Sequence, residues 1–171
     1  MVEGTVAAHL PFSIRAGSTA DLSIAVALWD EAQSARRGMP SVSAEMLAME
    51  SRRLSAANAL FFVLEEDGKP IGIALASPAR EDAGDGKMIP RLAHISSVAI
   101  KPGYWGRGLG RRLMNALIQE LPKRHYTAAQ LWTQPSNLRA LQLYLSLGFK
   151  FAGDEKIHQF ENIRRYLRTH L

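Results

Sequence analysis

The sequence predicts a mixed α/β domain, a mostly antiparallel sheet of six or seven strands with helices on both faces. Two observations carry this. "ALFFVLEEDGKPIGIALAS", residues 59–77, sets two apolar runs on either side of an Asp67-Gly68 turn, the signature of an antiparallel hairpin. Later, apolar strand-like segments alternate with helical ones, so the connections there are strand–helix–strand crossovers. With 171 residues, 47% of them hydrophobic, the chain can bury one core and is short for two. Residues 1–10 read as a leader open to disorder, and 11–171 as a single domain.

Each element has a local reason. "PFSIRAGS" reads as a short strand, after which Ser18 and Asp21 form a capping-box pattern ahead of a helix carrying Leu22, Ala25, Val26 and Trp29 at helical spacing. Gly38 and Pro40 end that helix, and Ser43 can cap a second one with Met46, Leu47 and Leu54. The hairpin follows, then a polar, glycine-bearing loop with Glu81, Asp82 and Asp85, then the strand "RLAHISSVAI". Leu109, Leu113, Leu117 and Leu121 lie four apart and form the apolar stripe of a third helix. "AAQLWTQ" is a strand, "SNLRALQLYLSLG" a short helix closed by Gly148, and "FKFAG" and "NIRRYLRTHL" can supply two last strands.

Composition excludes several functions. There is no cysteine, so disulfides, thiol nucleophiles and cysteine-ligated metals are ruled out. The longest strongly apolar stretch is far shorter than the roughly 20 residues of a membrane span. "MVEGTVAAHL" lacks the basic start of a secretory signal, which makes the cytoplasm the expected location. A net charge of +5 raises the question of a polyanionic partner, but no helix-turn-helix, zinc or aromatic-sheet motif accompanies it. Neither nucleic acid nor membrane is expected as a partner.

The chemistry concentrates in "KPGYWGRGLGRRLM", residues 101–114, where four glycines join a strand to a helix. Such a junction presents unpaired backbone N–H groups and the positive end of the helix dipole, an anion site that glycines leave open to a phosphate. A dinucleotide fingerprint fails because Arg111 stands where the third glycine is needed. A nucleoside-triphosphate loop fails because Leu109 and Gly110 replace the Lys and Ser/Thr. What remains is a pyrophosphate held by backbone, with Lys101, Arg107, Arg111 and Arg112 around it and no metal. Gly108 and Gly110 are both expected where a side chain would occupy phosphate space.

That pattern resembles the GNAT superfamily of acyl-coenzyme A-dependent N-acyltransferases. Its signature, Arg/Gln-x-x-Gly-x-Gly/Ala, is matched by Trp105-Gly106-Arg107-Gly108-Leu109-Gly110, with Trp105 departing at the first position. The second signature is matched by Asn137, Ala140, Tyr144, Gly148 and Phe149. The resemblance implies a GNAT-like fold in which the central strand is bulged and splays from its neighbour, so that the pantetheine arm pairs with the backbone of Val98 and Ile100, Ala99 lying between them in the site. It further implies a pyrophosphate on Gly106, Arg107, Gly108, Leu109, Gly110 and Arg111, Asn137 bonded to the cofactor arm, and the Tyr144 hydroxyl aimed at the thioester sulfur. The bland alternatives are a helix-start asparagine and a core tyrosine.

An ammonium substrate must lose a proton before it attacks. His94, on the central strand, is the candidate base, with a purely structural histidine as the alternative; Glu81 and Asp82 acting through water are further candidates. Similar proteins that modify protein N termini often carry a carboxylate on the strand before Asn137, a region that here contains Trp132, so that base is missing. The implied activity is acetyl transfer from acetyl-CoA, the co-substrate, to a primary amine by direct attack in a ternary complex; a non-catalytic acyl-CoA-binding sensor module is the alternative. The acceptor is a small-molecule or protein amine, and a homodimer is an open option. Its identity is expected to reside in Gln33–Ser43, the acidic loop and the carboxyl-terminal hairpin.

Overall fold

A computed structural model describes residues 11–158 and 161–171, so the leader expected at 1–10 lies outside the described residues. The strands are β1 (Phe12–Ala16), β2 (Leu60–Glu66), β3 (Lys69–Arg80), β4 (Met88–Ile100), β5 (Ala128–Thr133), β6 (Lys150–His158) and β7 (Glu161–Thr169). The helices are α1 (Leu22–Arg37), α2 (Ala44–Ser55), α3 (Leu109–Glu120) and α4 (Leu138–Ser146). One seven-stranded sheet runs in the order β1-β2-β3-β4-β5-β7-β6, and its one parallel pair is β4 with β5. The two carboxyl-terminal strands are both present, exchanged in spatial order.

The local signals work as their chemistry requires. Ser18 and Asp21 form the capping box, Gly38 ends α1 in a left-handed conformation, and the Ser43 hydroxyl accepts the Met46 N–H at 3.2 Å. Alternation in the strands divides the core between the two faces. Val63, Ile73, Leu75 and Ala99 pack under α1 and α2; Leu64, Ala74 and Ile100 pack under α3, whose Leu109, Leu113, Leu117 and following Leu121 are all buried.

The sheet is imperfect where function is expected. Leu75 pairs with Ser97 but Ala76 pairs with Ile95, so Ser96 is the extra residue of a bulge in β4. β4 and β5 pair over Leu92–Ile95 with Ala128–Leu131, and beyond Ile95 that side of β4 has no strand partner among the described residues. The gap between them is the floor of the site.

Candidate active site

An open cleft of about 1800 Å³ runs over the gap. The β3–β4 register and the 2.8 Å bond from the Lys101 N–H to the Ile71 carbonyl fix which backbone groups face it. Ser97, Ala99 and Lys101 turn their backbone toward β3, whereas Val98 and Ile100 turn theirs toward the gap. This corrects the expectation for Ala99, whose polar backbone is spent in the ladder opposite Ile73. It also restricts Ile100. The Trp105 indole N–H donates to the Ile100 carbonyl at 2.6 Å, leaving only the Ile100 N–H open to a ligand. The departure from the family signature thus has a structural job: Trp105 closes the end of the splayed strand.

Beside this edge, Gly108 caps α3 in a left-handed conformation, φ 74°. Gly106 is left-handed too, φ 77°, and a Cβ at either position would meet nothing within 4 Å. The first helical N–H groups, from Leu109 to Arg111, therefore face open space with no carbonyl four residues back. Gly110 differs. Its Cβ would make ordinary contacts with Leu143 Cδ2 at 3.4 Å and Ile100 Cγ1 at 3.9 Å, so this position faces the packing of α3 on α4 and β4 and not, as expected, the open space in front of Gly106 and Gly108.

The arginines expected around the loop also divide. Arg111 lines the cleft and bonds the Ser146 hydroxyl at 2.7 Å. The Arg107 guanidinium lies 5.2 Å from the ring centres of both Phe12 and Tyr104, and Arg112 is 5.9 Å from that of Phe12. Neither lines the cleft. With these two guanidiniums stacked on half-buried rings, the loop offers mainly its backbone.

Asn137 stands at the N-cap of α4 but makes no side-chain cap bond. Its amide faces the cleft, as does Tyr144 two turns on. Tyr144 is buried against Phe149, and burial pushes its hydroxyl up to about 12, with Arg36 nearby pulling the other way. His94 lines the cleft with Ser96; its Nδ1 is buried with no partner among the described residues. Burial, then Arg53 and Lys156, lower its pKa to about 4. The ring is neutral at physiological pH and is a far weaker base than an ordinary histidine. Glu81 and Asp82 do not line the cleft; from their loop Gly84 and Asp85 do.

The far half of the cleft contains groups that local sequence did not single out. α2 contributes Arg53, and β6 contributes Lys156 and His158. The Lys156 ammonium sits 4.4 Å from the centre of the Trp132 ring, which serves as a platform for a cation. Of the segments expected to recognise the acceptor, the end of α1 (Gln33, Arg36, Arg37), Asp85 and β6 line the cleft; α2 was missed, because nothing in its amphipathic pattern marks Arg53 as facing inward.

Residues 25–149 match the acetyltransferase (GNAT) family. The chain belongs to that family. Over 93 residues, 54% of its length, it is 34% identical to the ribosomal protein bS18-alanine N-acetyltransferase of Escherichia coli, and over 95 residues 33% identical to an uncharacterized N-acetyltransferase of Methanocaldococcus jannaschii. The matches span 56% and 38% of the length of those curated relatives. A crystal structure of the Escherichia coli S18-alanine enzyme superposes with a TM-score of 0.72 at 25% identity, covering 93% of this chain and 94% of that one. PaiA N-acetyltransferase of Thermoplasma acidophilum, in complex with coenzyme A, shares the fold at 18% identity, TM-score 0.68, covering 94% of this GNAT chain and 100% of the other.

Proposed function

We propose that this GNAT chain is an acetyl-CoA-dependent N-acetyltransferase that acts on a primary amine by direct attack in a ternary complex. The observation that carries this is the conjunction of an open strand edge at Val98 with an uncovered left-handed glycine cap at Gly108. The two are set side by side, and each offers backbone donors to one extended, phosphate-bearing ligand. Acetyl-CoA, when bound, supplies the activated acyl group. The fit is supported by the empty space at the Gly106 and Gly108 Cβ positions and by the uncapped amide of Asn137.

The residues then have distinct tasks. The N–H groups of Leu109 to Arg111 hold pyrophosphate, and the Val98 N–H is fixed in place to stabilise an oxyanion without reorganisation. Tyr144 donates a hydrogen bond toward the sulfur. At a pKa of about 12 it lies roughly 3.5 units above a thiol, so complete proton transfer would be uphill by about 5 kcal/mol and the hydroxyl acts as a donor that keeps its proton. His94, neutral and weakly basic, can accept a hydrogen bond from the attacking amine. The cations around it also disfavour an ammonium in the cleft, which promotes the free amine the reaction requires.

Thiol release measured with acetyl-CoA and a panel of primary amines tests the reading. CoA-dependent thermal stabilisation together with amine-dependent release is expected. Stabilisation without release from any amine would instead make the chain an acyl-CoA sensor.

A further inference from the structure

Charge in the far half of the cleft is unbalanced. Two of its carboxylates are already engaged, Asp154 with Arg165 at 2.7 Å and Glu155 with Arg164 at 2.5 Å. The third, Asp85, sits on the exposed loop at the mouth. Arg37 pairs with Glu161 at 3.2 Å and Arg36 donates to the Gln33 amide oxygen at 3.0 Å, whereas Lys156 and Arg53 have no side-chain acceptor within hydrogen-bond distance among the described residues. Lys156 rests on Trp132 with no carboxylate partner among the described residues. The nearest carboxylate oxygen to Arg53 belongs to Glu50 at 3.7 Å, a fully buried side chain on the core side of α2 whose pKa is raised by burial, with Ser97 and Arg53 pulling the other way.

These cations are also partly withdrawn from water. The Arg53 side chain is 35% exposed, and Lys156 is lowered by burial and by Arg53 itself. Two half-buried cations that repel one another, Lys156 with no carboxylate partner among the described residues and Arg53 with only Glu50 at 3.7 Å, form a site that an anion completes. Both act on His94, which shares the cleft face with Ser96 just before the open edge of β4. The cationic pair therefore lines the same cleft as the open edge of β4 and acts on His94 there.

We propose that the acceptor is an amine that also carries an anionic group, a carboxylate or a phosphate, and that Arg53 and Lys156 hold this group while the amine reaches the open edge of β4. The inference rests on the acetyltransferase reading above and adds the acceptor class to it. Lys156 supplies a point charge and Arg53 a fork. Polyamines and lysine-rich peptides meet the same cations and are repelled.

The test uses the full chain and acceptors matched in size: the dipeptides Ala-Glu, Ala-Gln, Ala-Lys and Ala-phosphoserine, and the free amines 4-aminobutyrate, 4-aminobutanamide and putrescine. An anionic member of at least one set is expected to show kcat/KM about 10-fold or more above its amide and its cationic counterpart, and to lose that advantage in added salt. Relative rates of Ala-Glu and Ala-phosphoserine assign the anion. Lys156→Gln should bring anion and amide within about threefold while leaving CoA affinity and thermal midpoint in place, and Arg53→Gln should repeat the effect. Equal or better turnover of amides or cations, or a preference untouched in Lys156→Gln, overturns the inference but leaves the acetyltransferase reading standing. If no amine releases thiol, that reading fails. The anion site is then judged by calorimetry with CoA present: N-acetylglutamate binding more tightly than N-acetylglutamine, with the difference lost in Lys156→Gln, supports the site, and no difference overturns it.

Discussion

The two halves of the cleft bind charge by opposite means. At the α3 end a stretch of six residues, Gly106 to Arg111, presents backbone N–H groups, and the side chain of Arg107 turns away onto Phe12 and Tyr104. At the far end Arg53 and Lys156, drawn from α2 and β6 and separated by about a hundred positions in the chain, converge as side chains around His94. Backbone donors survive every substitution except proline but can be covered; side-chain cations can be removed one at a time. The first half is accordingly sensitive to added bulk and the second to deleted charge.

The largest effect should come from adding bulk. Gly108→Val places a β-branched residue at φ 74° and fills the space in front of the helix cap. CoA affinity, measured by calorimetry, should fall about 100-fold or more, combining backbone strain with blocked donors. A folded variant with unchanged affinity would show that the cap is not the phosphate site.

Tyr144→Phe sharpens the boundary between the halves. Because the ring packing on Phe149 is kept, CoA affinity and fold should be retained while kcat drops about 10- to 100-fold, the scale of one lost hydrogen-bond donor to developing charge. Wild-type turnover under conditions where chemistry limits the rate would assign Tyr144 to packing alone.

His94→Gln tests the electrostatics of the far half. Since the folded-state pKa is near 4 against an ordinary 6.5, the unfolded chain binds the proton first as pH falls. This contribution to stability is complete above about pH 6.5 and is lost progressively toward pH 4, by up to about 3 kcal/mol. Denaturant titrations should show that slope flattened in His94→Gln, and kcat/KM should carry no His94-dependent limb between pH 6 and 7. A limb there that vanishes in the variant would mean that His94 titrates in its usual range in the free enzyme and that the proposed depression is wrong.

The smallest effect should be that of Arg107→Ala. Stacked on Phe12 and Tyr104 outside the cleft, Arg107 should change CoA affinity by no more than about threefold, with a stability loss of about 0.5–1 kcal/mol from the cation–π contacts. A loss comparable with that of Gly108→Val would mean that the side chain swings into the site on binding.

The sequence by itself determined the element order, the hairpin at Asp67-Gly68, the caps at Ser18, Gly38 and Ser43, the glycine cradle before α3, and the pairing of Asn137 with Tyr144 on one helix. All of these depend on residues within a few positions of one another, where backbone geometry and periodicity act directly. The extent of the β4–β5 splay, the use of Trp105 to occupy the Ile100 carbonyl, and the packing role of Gly110 depended on contacts between elements. So did the far half of the cleft: nothing near Arg53 or Lys156 in the chain shows that α2 and β6 place them together, and nothing near His94 shows that their charge and the surrounding burial lower its pKa. Only the tertiary structure decided those points, because desolvation and charge repulsion are properties of what folding brings near a group and not of the residues beside it in the chain.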